Sequence, residues 1–147
     1  MSQTLRQASD DILKGLMLTS MVARKVASDL HTLSFDRIFT QGLNASGSQI
    51  GTYTPFTIRK KKEKGRFTSS KVNLRDTDKL ANSYLFHCTS NTNCNIGFAN
   101  ISRGDGKTNS ELKVKLENQY GDIFGLTAKE EGEIDEIIAD FLDNINF

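Results

Sequence analysis

Apolar residues recur at three- and four-residue steps through the start of the chain: Leu5, Ala8, Ile12, Leu16, Val22, Val26 and Leu30, with a phase shift between Leu16 and Val22. That period predicts a long amphipathic helix over residues 4–33. Leu13, Met17, Leu18 and Met21 widen the apolar face near its middle. Gly15 sits inside this stretch, at a cost of about 1 kcal/mol relative to alanine. It leaves room for a bend or for a close neighbouring helix. So long a helix needs a sizeable partner, either the chain's own sheet or another subunit.

After this helix the pattern breaks into shorter pieces. Residues 35–39 are apolar and fit either a strand or a continuation of the helix. Residues 41–54 are rich in glycine, serine and asparagine and read as a loop. Pro55 closes that loop and pushes Thr54 towards extended geometry. Residues 56–64 carry few large apolar side chains, Phe56 and Ile58, and form either a short helix or an extended basic arm. Asp76 or Thr77 is a cap candidate for a short helix reaching Asn82, with Leu80 and Ala81 turned inwards. Residues 84–89 and 95–101 look like strands, alternating polar and apolar residues imperfectly around a polar turn at 90–93, and together they read as a β-hairpin. Residues 102–109 contain Gly104 and Gly106 and read as a loop.

Two helices follow. Leu112, Leu116 and Tyr120 repeat at four-residue steps, and Gly121 stops the helix they define. The last helix has the clearest local signal. Thr127 and Glu130 have the spacing of a capping box, in which each side chain bonds the other's backbone amide. Glu130 and Glu131 also suit the positive end of the helix dipole. Ile134, Ile137, Ile138, Phe141, Leu142 and Ile145 then line one face, to cover a sheet or dock on the first helix. The sum is an α+β fold: a long N-terminal helix, a small antiparallel sheet, two C-terminal helices and an extended glycine-rich, basic arm.

Composition changes this picture little. A chain of 147 residues with 37% hydrophobic content fits one domain, residues 1–147, with the arm at about 42–66 projecting from it. The net charge of +1 gives no whole-chain field favouring nucleic acid or membrane. The charges are segregated, however. Arg59, Lys60, Lys61, Lys62, Lys64 and Arg66 crowd together against Glu63 alone. Glu130, Glu131, Glu133, Asp135, Glu136, Asp140 and Asp143 make the last helix acidic. Opposed patches on one small subunit suit head-to-tail packing, although solvated faces would look the same.

Candidate chemistry is sparse. Cys88 and Cys94 have no metal-site spacing. They could meet across the hairpin, but a reduced pair is the expectation for a chain made in a cytoplasm. No signal peptide or membrane-length apolar run is evident. Gly104 to Thr108 resembles part of a phosphate loop but lacks the upstream glycine and the strand that would feed it. His87 and Cys88 are adjacent, so in a strand they point to opposite faces and do not pair. His31 is expected on the polar side of the first helix, near the C-terminal end where the dipole favours a cation. Asp10 and Asp11 do not face each other. No catalytic, cofactor or metal residues are assigned, and no enzymatic activity is expected. The basic run could contact phosphates without reading sequence, which keeps a small nucleic-acid-binding protein using residues 59–66 as the alternative.

The order of short motifs resembles the virion-morphogenesis and tail-completion proteins of tailed bacteriophages. Phe39, Gly42 and Gly47 are followed by Gly51, Tyr53 and Pro55, then by the basic run from Thr57 to Gly65. Leu74, Thr77, Leu80 and Ser83 match a Leu-x-x-Thr-x-x-Leu-x-x-Ser element, with Asp78 in place of the usual small residue. Ile96 and Gly97 stand at a strand end, Tyr120 and Gly121 at a helix end. Phe124, Gly125, Leu126 and Thr127 lead into the capped helix. The likeness extends over residues 39–142.

This resemblance implies a structural subunit that assembles as a homo-oligomer ring at the head–tail neck or tail end. Its place would be the virion, and the host cytoplasm during assembly. Its partners would be other neck, portal or tail proteins, with non-specific contact to packaged DNA and no membrane. It implies no catalytic residues and no cofactor. The arm would reach a neighbour and become ordered on assembly. Tyr53, Phe56, Ile58, Arg59, Lys60, Lys61, Lys62 and Arg66 are the expected subunit-interface residues. Deleting 44–66 is expected to leave a folded chain that fails to incorporate.

Overall fold

The structure, a computed structural model, describes residues 5–66, 69–76, 78–90, 93–99 and 108–144. The strand end at Ile101, the loop glycines Gly104 and Gly106, the cap candidate Thr77 and the apolar Ile145 lie outside the described residues. So do the side chains of Leu5, Ala8, Ile12 and Leu16.

The fold is α+β. Helix α1 spans Leu5–Phe35 and runs directly into a π-helical segment, Asp36–Gln41. Helices α2 (Pro55–Glu63) and α3 (Lys79–Ser83) follow. Then come strands β1 (Tyr84–Cys88) and β2 (Cys94–Phe98), and helices α4 (Asn109–Tyr120) and α5 (Ala128–Asp143). The apolar residues 35–39 therefore continue the helix. Its wider last turn ends where the Gly42 amide donates to the Arg37 carbonyl. Gly42 is left-handed, with φ +69°, and a Cβ there would lie 2.7 Å from the Val72 carbonyl oxygen. Gly42→Ala is expected to cost about 1–2 kcal/mol from the backbone alone, and more from that clash. Gly47 has φ +79° with nothing within 4 Å. Urea midpoints should therefore fall further for Gly42→Ala than for Gly47→Ala.

The two strands pair antiparallel, with Tyr84 opposite Phe98 and Cys88 opposite Cys94. The Ala99 amide donates to Ser83 and the Thr89 amide to Asn93, so these are hydrogen-bonded pairs. By the two-residue alternation, the pairs at 84/98, 86/96 and 88/94 lie between bonds, where opposing side chains come closest. Tyr84, Phe86, Ile96 and Phe98 turn to the protein, while Leu85, His87 and Asn95 are exposed. Cys88 and Cys94 share the inner face with Cα atoms 4.0 Å apart, and they form a disulfide. This corrects the expectation of a reduced pair: the hairpin register places the two sulfurs side by side.

The core gathers Ile38, Phe39, Ile50, Val72, Leu80, Ala81, Tyr84 and Ile123. Leu112, Leu116 and Tyr120 of α4 close it from one side. The capping box of α4 uses Thr108 and Glu111, a signal as regular as that of α5. Tyr84 is the aromatic hub. Its ring lies 5.4 Å from His31, 5.6 Å from Phe39 and 5.2 Å from Phe98. Its hydroxyl meets Ser34 Oγ at 3.0 Å. His31 is half-buried here, not on the polar side of α1. The Tyr84 carbonyl points away from β2, so it needs a donor, and His31 Nε2 supplies one at 2.7 Å.

Helix α5 docks on α1, as its apolar stripe implies. Both hydrogen bonds of its capping box are present: Glu130 N to Thr127 Oγ1 at 3.1 Å and Thr127 N to Glu130 Oε2 at 2.9 Å. Glu130 also meets Arg37, and both side chains are about nine-tenths or more buried. Arg37 Nε donates to Glu130 Oε1 at 2.7 Å and Nη2 to Oε2 at 3.4 Å. Its other donors reach the carbonyls of Leu43 at 3.1 Å, Ile123 at 3.0 Å and Gly125 at 2.8 Å. One guanidinium thus ties the end of the first helical unit to two loops and to the start of α5. Among the described residues, every buried side-chain nitrogen and oxygen has a hydrogen-bond partner. No described helix is long and apolar enough to cross a membrane.

Candidate assembly surface

The stretch from Gly42 to Arg66 is anchored to the body at several points. The Leu43 and Gln49 backbones pair across a turn, and Ile50 enters the core. The Tyr53 amide donates to Ser70 at 2.9 Å and the Val72 amide to Gly51 at 2.9 Å. Deleting 44–66 would remove Ile50 and these ties. It is thus not expected to leave a folded chain, and point changes are the usable probe.

Of the two forms open to residues 56–64, the chain takes the helix. Thr54 caps it by accepting from the Thr57 amide at 3.2 Å, and Pro55 occupies the first turn, where its missing amide costs nothing. A helical turn then sorts the basic run by direction. Ile58 and Lys61 are three apart and face the protein. Lys61 is only 6% exposed. Its Nζ donates to the Arg75 carbonyl at 2.6 Å and lies 4.4 Å from the centre of the Tyr53 ring. Burial lowers the Lys61 pKa, with nearby Asp76 opposing the shift. Burial likewise raises that of Tyr53, helped by Tyr120 and Asp76.

The outward side of α2 is different. Phe56 is 59% exposed. The Arg59 guanidinium lies 5.6 Å and the Lys60 ammonium 5.7 Å from its ring centre. Lys62 and Lys64 are exposed. Glu63 is the counter-charge on this side, 3.9 Å from Arg59 and 3.4 Å from Lys60. Arg66 pairs with Asp76. The eight expected interface residues therefore divide. Phe56, Arg59 and Lys60 form one outward surface, and Lys62 is exposed on the other flank of the helix. Tyr53, Ile58 and Lys61 hold the helix from beneath, and Arg66 is drawn aside by Asp76.

Behind the helix, Arg75 and Asp78 form a two-point pair at 2.7 and 3.0 Å. The Arg75 hydrogen bonds hold the Asp78 carboxyl below its usual pKa, against a smaller desolvation effect. A lowered folded-state value stabilises the fold above the unfolded pKa of about 4, and the gain is lost as pH falls through the folded value. The pair is partly exposed, so the effect is about 0.5 kcal/mol. Asp78→Asn, tolerated at φ +59°, is expected to remove that share of the acid-side slope in urea titrations below pH 5 and leave the slope at neutral pH unchanged.

The second surface lies on α5. Glu131, Asp135, Glu136, Asp140 and Asp143 are exposed on the side away from α1. Lys129 is the cation among them, 4.0 Å from Glu133. Among the described residues, no ion pair joins α2 to α5, and no three His, Cys, Asp or Glu side chains cluster as a metal site would require.

Sequence reasoning located the basic and acidic surfaces but not the buried Arg37. Its signal was an isolated cation between Phe35 and the apolar pair Ile38 and Phe39. Comparisons with protein-family models, curated proteins and solved structures find no match for this chain.

Proposed function

We propose that this chain is a non-enzymatic structural subunit of a tailed-bacteriophage particle, assembling as a ring at the head–tail neck or tail end. The ordered motifs between Phe39 and Leu142 support that reading. The observation that carries it is the outward face of α2. Single exposed apolar residues are ordinary on protein surfaces. Phe56 differs because two cations frame its ring on a helix fixed from below by Lys61. A solvated phenylalanine flanked by arginine has the composition of an interface core.

Removing the protein from the phage that encodes it tests the reading. Heads and tails that fail to join, or tails left unfinished, are the expected result, with rescue by the wild-type chain and not by Phe56→Ser. Normal yields of infectious particles without the protein would overturn it.

The exposed Arg59, Lys60, Lys62 and Lys64 favour a second reading, a nucleic-acid-binding protein. That reading requires affinity for duplex DNA that falls steeply with salt and is lost on neutralising Lys60 and Lys62. Filter binding across a salt series decides between the two.

A further inference from the structure

We propose that the basic, aromatic face of α2 docks on the acidic outer face of α5 of a second copy of this chain. The inference rests on the assembly reading above and names its contact. Three observations carry it.

The first is complementarity. The α2 face presents Arg59 and Lys60 around Phe56, with Glu63 as its one carboxylate, and the α5 face presents Asp135, Glu136 and Asp140. Both are helix faces turned to solvent.

The second is an apolar counterpart. Leu142 is 48% exposed and lies one heptad from Asp135, so the two share a side of α5. In this contact Phe56 meets an apolar residue that has Asp135 on its own side of α5, about two helical turns away.

The third is the lack of an internal solution. Among the described residues the two faces make no ion pair with each other. One chain carries both halves of the contact on different elements. Such a contact is heterologous, and repeated head to tail it closes into a ring or grows as a filament. Duplex DNA would match the α2 face but leaves the α5 face unexplained.

Charge reversal tests the contact in the intact protein. Arg59→Glu/Lys60→Glu makes both faces acidic, and Asp135→Lys/Glu136→Lys makes both basic. Sedimentation velocity at low salt should show self-association of the wild type that weakens with added salt. Each reversed variant should associate roughly tenfold or more weakly, since like charges then oppose. Mixed together, the two variants should associate again, because every α2–α5 contact in an alternating series is complementary. The chain carrying all four changes should also recover. Circular dichroism that matches wild type shows the variants are folded.

Self-association that ignores these positions would overturn the contact while leaving the virion reading standing. A wild-type chain that remains a 16.4 kDa species at its highest soluble concentration would overturn it too. So would a 30-base-pair duplex bound through Arg59 and Lys60, with no recovery in the mixture; that result assigns the face to DNA.

Discussion

Replacing Arg37 with methionine is expected to remove about 3–5 kcal/mol of folding stability, the cost of breaking a buried ion pair from one side. The loss has several parts. Glu130 keeps a buried carboxylate whose remaining donor is the Thr127 amide. The carbonyls of Leu43, Ile123 and Gly125 each lose a donor. Small proteins are stable by about 5–15 kcal/mol, so one substitution takes a large share. Glu130→Gln should cost less. The amide oxygen still accepts a bond at that site, and Arg37 keeps its three carbonyls. Glu130→Ala should lie closer to Arg37→Met because it leaves the buried guanidinium without a counter-charge and removes the carboxylate half of the α5 capping box. Urea unfolding of the three variants gives the order. Arg37→Met within 1 kcal/mol of wild type would show that the guanidinium does not hold the loops to α5.

Tyr84→Ala is expected to cost about 3–5 kcal/mol, as large aromatic truncations in a packed core do. Tyr84 joins three parts of the molecule: α1 through His31 and Ser34, the π-helical segment through Phe39, and β2 through Phe98. Its truncation opens a void where helix and hairpin meet. Tyr84→Phe keeps the ring and removes the hydroxyl bonded to Ser34. That change should cost about 1 kcal/mol, the net worth of one hydrogen bond, and up to 3 if Ser34 is left unsatisfied. Ser34 keeps a bond to the His31 carbonyl at 3.2 Å, which favours the lower figure. Equal losses for Tyr84→Ala and Tyr84→Phe would mean that the hydroxyl, not ring packing, fastens the hairpin to α1.

Most of the element order was legible in the sequence, because helices, caps and hairpins are written in short-range spacing. The α5 cap and stripe are the clearest case: Thr127, Glu130 and the Ile134–Ile138 face needed no distant information. The hairpin was legible through two strand-like runs, imperfectly alternating, on either side of a polar turn. What could not be read locally was the set of contacts that span the chain. Arg37 and Glu130 are 93 residues apart, and nothing near Arg37 names its partner. The chemistry of His31 alone points to the polar side of α1. The orphan carbonyl that draws it inwards belongs to Tyr84, 53 residues on. For the cysteines, a cytoplasmic origin points to reduced thiols, whereas the strand register decides their geometry.

The basic run shows the same division within a candidate site. Counted as charge, residues 59–66 look like one patch. Counted at helical spacing, Ile58 and Lys61 fall on one side and Phe56, Arg59 and Lys60 on another. That sorting was available from the sequence once the helix was chosen over the extended arm. Choosing it required Thr54 to cap and the body to receive Lys61, and the second condition depends on the Arg75 carbonyl.

The most direct measurement of the proposed virion role is quantitative mass spectrometry of gradient-purified particles of the tailed phage that the proposal makes the source of this chain. A structural neck or tail subunit should be present at a small, fixed number of copies per particle, in constant ratio to the portal protein, and should stay with the particle through high-salt washing. Absence from the particle, or a variable amount removed by salt, would contradict the structural role and return the basic face of α2 to the nucleic-acid reading.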